Sequence, residues 1–111
     1  EVKKILSTSM QPIRKFTTPK KIIKAVADFY DIKEQELMNQ SRKQHFVKPR
    51  QVVMYLLRNE LSSSYPSIGE YLGGRDHSTV IHACTKIEDD LKKNLSFEEE
   101  IKSIKEKIYK L

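Results

Sequence analysis

The stretch Gly73-Gly74-Arg75-Asp76-His77-Ser78-Thr79-Val80-Ile81-His82-Ala83-Cys84 decides how this chain folds. Two glycines in a row end whatever helix precedes them, because glycine accepts the left-handed backbone that a helix terminus needs. Asp76 is placed to cap a new helix and to complement its positive end. Val80, Cys84, Ile87 and Leu91 then recur at spacings of four, three and four, which predicts one buried stripe. Thr79, His82, Lys86 and Asp89 form the opposite, polar stripe. Upstream, Ser64-Tyr65-Pro66-Ser67 reads as a turn, and residues 68–72 leave room only for a small helix. A short helix, a glycine turn and an amphipathic helix make a helix-turn-helix candidate. The form alone is weak, since any helical bundle contains helix hairpins.

Outward from this stretch the chain reads as helix throughout. Thr18 followed by Pro19 is an N-cap with proline at the first helical position, and Ile22, Ile23, Val26, Phe29 and Tyr30 recur behind it at helical spacing. Residues 33–38 predict one short turn of helix, and residues 39–48, polar, basic and aperiodic, a loop. Pro49 is expected to open the next helix, with Val52, Val53, Leu56, Leu57 and Leu61 on its buried side and the serines at 62–64 ending it. Ser96-x-x-Glu99 reads as a capping box before Phe97, Ile101, Ile104, Ile108 and Leu111. Val2, Ile5 and Leu6 suggest the end of a helix and residues 7–16 a linker, as though the chain were cut from something larger. The sequence offers no strand candidate, no repeat and no low-complexity tract. The expected fold is all-α.

At 111 residues, 38% of them hydrophobic, there is enough for one core and not for two. No apolar run is long enough for a bilayer, and no signal-peptide pattern opens the chain. A lone cysteine, Cys84, makes no internal disulfide and points to a reducing compartment. Gly69, Gly73 and Gly74 are the only glycines and form no phosphate-binding loop. A secreted knot, a membrane span and a self-contained nucleotide enzyme are therefore poor fits. Charge is more informative. The net value is +6, but residues 1–58 hold 13 basic and 5 acidic residues, against 8 and 10 in residues 59–111. Residues 37–59 carry Arg42, Lys43, Lys48, Arg50 and Arg58 with no acidic residue among them. Such a patch is either a solvated face or awaits a polyanion.

The run from Gly73 to Cys84 closely resembles the C-terminal DNA-binding domain of the bacterial replication initiator DnaA. Lys48-Pro49-Arg50-Gln51 and Ile68-Gly69 match the same family pattern at the right separations. The resemblance covers about residues 18–93. It implies a helical bundle of the Trp-repressor-like, helix-turn-helix type that binds duplex DNA as a monomer at origin boxes of the TTATNCACA type. Residues 18–95 are then the DNA-binding domain. Residues 1–17 become a linker, or the end of a connector helix from a preceding ATPase domain, and residues 96–111 an amphipathic helix packed on or extending the same domain. By this resemblance ATP belongs to the absent ATPase domain, so that no cofactor and no catalysis are expected here. The location implied is the cytoplasm, on the nucleoid.

The resemblance also assigns roles. Asp76, His77 and Ser78 fall where the family reads bases in the major groove; Ser78 stands where many relatives carry threonine. Arg42 matches an arginine inserted in the adjacent minor groove, and Pro66 a contact beside the turn. Lys43, Arg50, Gln51, Arg58, Thr79, His82 and Lys86 fall at phosphate-contacting places. Arg75 is either structural or phosphate-facing. Other readings compete: Asp76 as a cap alone, Tyr30, Tyr55, Tyr65 and Tyr71 as packing residues or stacking platforms, and the stripe from Phe97 as core or partner site. Protein docking of replication regulators and association of the basic residues 2–24 with acidic phospholipid are the alternatives to DNA binding. A zinc site fails on geometry, because His77 and His82 lie about 140° apart on a helix.

Overall fold

Residues 17–109 are described by the computed structural model. Among them are α1 (Pro19–Tyr30), α2 (Glu34–Met38), α3 (Gln44–Leu61), α4 (Tyr65–Tyr71), α5 (His77–Lys93) and α6 (Leu95–Ile108), with no strand. The connector expected at residues 1–17 lies, apart from Thr17, outside the described residues, as does Leu111.

The central helix, α3, departs most from the sequence reading. It begins at Gln44, not at Pro49, so the expected loop at 39–48 shrinks to 39–43 and Pro49 sits inside the helix. Proline there removes one backbone donor, a cost normally near 3 kcal/mol, so packing must compensate. Phe46 and Val47 pack partly inward, and the Lys48 ammonium lies 4.2 Å from the centre of the Phe97 ring. The inward stripe Val47, Arg50, Met54 has helical spacing, but its middle member is a buried arginine. An apolar-periodicity argument cannot see that residue as core.

Local signals fix most other boundaries. The Thr18 hydroxyl accepts from the Lys21 amide at 3.2 Å, and α1 ends at Asp31 in the left-handed region. Ser62 ends α3 in the same way, at φ 54°. The turn expected at residues 64–67 is instead the first turn of α4. Ser64 caps it by accepting from the Ser67 amide, and Pro66 occupies the first turn, where its missing N–H does no harm. The capping box at Ser96 does not form: α6 starts earlier, with Asn94 accepting from the Phe97 amide at 3.1 Å. Asn94 also closes α5 by donating to the Asp90 carbonyl, so one residue joins the two helices.

One cluster fills the core. Ile22 and Val26 of α1, Leu37 of α2, Val52, Val53, Leu56 and Leu57 of α3, Ile68 of α4, Val80 and Ile87 of α5 and Ile104 of α6 are almost fully removed from water. Each such side chain contributes roughly 1.5–3 kcal/mol by leaving water. The helix α3 is central: α1, α2, α4 and α5 all pack against it. Phe97, Ile101, Ile104 and Ile108 bury the apolar face of α6 against α1 and α5. No described helix is long and apolar enough to cross a membrane.

Candidate nucleic-acid interface

The turn between α4 and α5 is built around Gly69. Its carbonyl accepts from the amides of Gly74 at 3.0 Å and Arg75 at 2.9 Å, folding the chain back on the end of α4. A Cβ at residue 69 would lie 2.1 Å from the Arg75 carbonyl oxygen, so only glycine fits. Gly73, at φ 83°, lies so close to α2 that a Cβ there would meet the Met38 carbonyl at 2.6 Å. The chain then enters α5 through Asp76, whose Oδ2 accepts from the Ser78 amide at 3.0 Å. That is the capping role; the second carboxylate oxygen is left for another donor. His77, Ser78 and Thr79 are exposed. Ile81, which the sequence reading did not single out, is 38% exposed one helical turn beyond His77. Its signal was present: an apolar residue out of step with the buried stripe at 80, 84 and 87.

The loop at 39–43 stands beside this turn and is shaped twice. Internally, the Asn39 side chain accepts from the Ser41 amide at 2.9 Å, and the Ser41 hydroxyl accepts from the Lys43 amide at 3.2 Å. Externally, two arginines grip it. Arg50 donates to the Leu37 carbonyl at 3.0 Å, the Ser41 carbonyl at 3.1 Å and the Asn39 side chain at 3.2 Å. Arg75 donates to the Leu72 carbonyl at 3.0 Å, to the Gln40 side chain at 3.2 Å and to the Asn39 carbonyl. Burial lowers both guanidinium pKa values, and for Arg50 the charge of Arg75 lowers it further. Arginine starts so high that both stay charged. Arg42 and Lys43 are left exposed on the loop. They stand just before the start of α3, which has no side-chain cap and adds the positive end of a helix dipole.

Arg50 therefore differs from its sequence assignment. It is 6% exposed and braces the loop from inside, whereas Arg42 and Lys43 stand exposed on the loop surface. The choice left open for Arg75 resolves the same way, towards structure. Gln51, Thr79, His82 and Lys86 do come together, lining with Arg50 and Arg75 a groove of about 310 Å³ between α3 and α5. Lys86 also holds an exposed i,i+4 ion pair with Asp90 at 3.2 Å. Arg58 and Pro66 lie apart from that groove, at the α3–α4 turn. There Arg58 donates to the Ser63 carbonyl at 3.0 Å and stacks 4.2 Å from the centre of the Tyr65 ring.

Of the remaining candidates, Tyr30, Tyr65 and Cys84 take packing roles. Tyr30 donates to Glu100 of α6, and Tyr65 lies under Arg58, so neither is an open stacking platform; Tyr71 is 43% exposed. Burial pushes the Cys84 thiol up to about 11, which leaves it protonated and inert at neutral pH. No group of three potential metal ligands occurs among the described residues. The basic residues 2–24 lie mostly outside the described residues.

Comparisons with known proteins agree with this geometry. Residues 19–87 match the family described as "Bacterial dnaA protein helix-turn-helix". The chain is 41% identical over 95 residues to the chromosomal replication initiator protein DnaA of Roseiflexus castenholzii, covering 86% of this chain and 20% of that protein. It is 45% identical over 87 residues to that of Limosilactobacillus reuteri, covering 78% and 20%. The chain thus spans about a fifth of the length of the relatives it matches. A crystal structure of a DNA replication initiation factor superposes with a TM-score of 0.72 at 28% identity, over 82% of this chain and 29% of that one. This chain belongs to the bacterial DnaA helix-turn-helix family.

Proposed function

We propose that this domain binds duplex DNA sequence-specifically at replication-origin boxes of the TTATNCACA type, one domain to a box, as the DNA-recognition part of a replication initiator acting on the nucleoid. The observation that carries this is the pairing of the exposed turn Asp76–Ser78 at the start of α5 with the exposed cations of the loop beside it. A helix entering the major groove reads base edges with its first residues. Asp76 keeps one oxygen to accept from cytosine N4, His77 can donate to a base acceptor, and Ile81 offers an apolar surface to a thymine methyl. Arg42 suits the narrow, negative minor groove of the A·T run. Lys43, Gln51, Arg58, Thr79, His82 and Lys86 set the register on phosphates, with Pro66 beside the duplex at the α3–α4 turn. ATP binding belongs to the part of the longer relatives that this chain does not span.

Fluorescence anisotropy on boxed and scrambled duplexes across a salt series tests the proposal. The boxed duplex binds more tightly, and log K falls with log salt at a slope of roughly −3 to −4, from the phosphates neutralised by Arg42, Lys43, Arg58 and Lys86. Equal affinity for both duplexes, or retained binding with a slope near zero, overturns it.

A further inference from the structure

The loop that carries Arg42 and the turn that carries His77 are 35 residues apart in sequence, yet they meet at one side chain. Arg75 is fixed at its backbone, which donates to the Gly69 carbonyl at 2.9 Å, and it directly precedes Asp76, the cap of α5. Its guanidinium is spread over three acceptors, the carbonyls of Leu72 and Asn39 and the side chain of Gln40. Two of these belong to the loop, and none is a carboxylate. The rigid fork of the guanidinium thus ties the two segments at a set distance while its positive charge stays unneutralised between them.

We propose that Arg75 is a positioning residue for DNA specificity: by clamping the 39–43 loop to the start of α5 it fixes where Arg42 stands relative to the reading turn. This rests on the DNA-binding reading above. The division of labour with Arg50 makes it testable. Arg50 and the internal bonds from Asn39 and Ser41 give the loop its shape, and none of them reaches α5. Altering Arg75 therefore leaves a shaped loop, still anchored to α3 by Arg50, whose direct tie to the reading turn is gone. An ammonium at residue 75 keeps the charge but cannot span three acceptors.

The test separates the two grooves. Guanine and inosine opposite cytosine differ only by the 2-amino group, which projects into the minor groove. Duplexes with I·C or G·C in place of the A·T run measure minor-groove discrimination alone, while changes at the base pairs facing His77 measure major-groove readout. In the unaltered domain the I·C duplex is preferred about tenfold. Arg75→Lys brings that preference below about twofold and leaves the penalty for altered major-groove pairs in place. Full retention of the I·C preference in Arg75→Lys overturns the proposal, as does an equal loss in both grooves, the mark of general loosening. If Arg75→Lys does not fold by circular dichroism, Gln40→Ala decides: Gln40 is exposed, and losing its single bond lowers the preference by about half, whereas no change overturns the proposal. Failure of the unaltered domain to tell boxed from scrambled DNA is a different result and rejects the DNA-binding reading itself.

Discussion

The two ends of this domain handle charge in opposite ways. At the 39–43 loop and the turn before α5, Arg50 and Arg75 donate to carbonyls and amide oxygens, so the loop is held without any carboxylate, and the cations on its surface stay unbalanced. At the other end, α6 is held by carboxylates with partners of their own. Glu100 accepts from Tyr30 of α1, while Glu60 of α3 accepts from Tyr109 at 2.6 Å and pairs with Lys105 at 3.3 Å. Between described residues the ion pairs are Lys24–Asp28, Lys86–Asp90 and Lys105–Glu60, and none uses a cation from 42 to 58. Charge is left over on the 39–43 loop and along α3, while the ion pairs lie on other elements or at the end of α3, two of them exposed within α1 and α5. A domain built to meet a polyanion needs that asymmetry.

Substitution of Gly69 should break the comparison outright. Gly69→Ala puts a methyl group against the Arg75 backbone and should cost about 3 kcal/mol of stability, seen in urea unfolding, with the turn and its clamp lost together. A cost below about 1 kcal/mol would mean that the turn is not held as described. His77→Ala leaves both ends folded but should cost roughly 1–3 kcal/mol on the boxed duplex and far less on a scrambled one. Equal weakening on both would move the reading head elsewhere.

Glu60→Gln sharpens the contrast from the balanced end. Burial pushes the Glu60 carboxyl up, but the Tyr109 hydroxyl, the Lys105 ammonium and the Asn59 amide outweigh it, and the net pKa lies below the ordinary value of 4.5. A lowered folded-state pKa adds stability that is present above 4.5 and lost as pH falls through the folded value. Glu60→Gln should therefore cost about 1.5 kcal/mol near neutral pH, flatten the acid side of the stability curve and leave DNA affinity unchanged. An unchanged acid limb in thermal melts between pH 3 and 7 would contradict this.

Arg58→Ala should have the smallest effect, and it straddles the two ends. On charge alone it weakens boxed and scrambled DNA alike and reduces the salt slope by about one. Because Arg58 also grips Ser63 and stacks on Tyr65, it should lower stability by about 0.5–1 kcal/mol as well. Arg58→Lys, which keeps the charge, should restore the slope more fully than the stability. A full return of both would make the stacking irrelevant.

Most of the helices were legible because their signals are local. A hydroxyl before Pro19, an aspartate before His77 and a glycine pair after α4 act within a few residues, and the stripe from Val80 to Leu91 carries its own period. The start of α3 was not legible, since a buried arginine interrupts the apolar pattern and a proline inside the helix imitates a beginning. The cap of α6 was missed because two capping residues, Asn94 and Ser96, lie two apart, and sequence alone does not choose between them.

The site divides along the same line. The sequence by itself determined that Asp76, His77 and Ser78 stand exposed at the start of α5, because their exposure follows from the cap and first turn of their own helix. It also determined that residues 37–59 carry uncompensated positive charge. Only the tertiary structure decided which of those charges face outward. Arg42 and Arg50 are alike in sequence terms, both in an acid-free basic stretch. Yet one is exposed and the other is spent on the carbonyls of Leu37 and Ser41. The acceptors that make the difference sit on α2 and the loop after it, 9–13 residues from Arg50 and 35–36 residues from Arg75. A guanidinium takes whichever unsatisfied carbonyls folding brings within its reach, and no local pattern records where they will be.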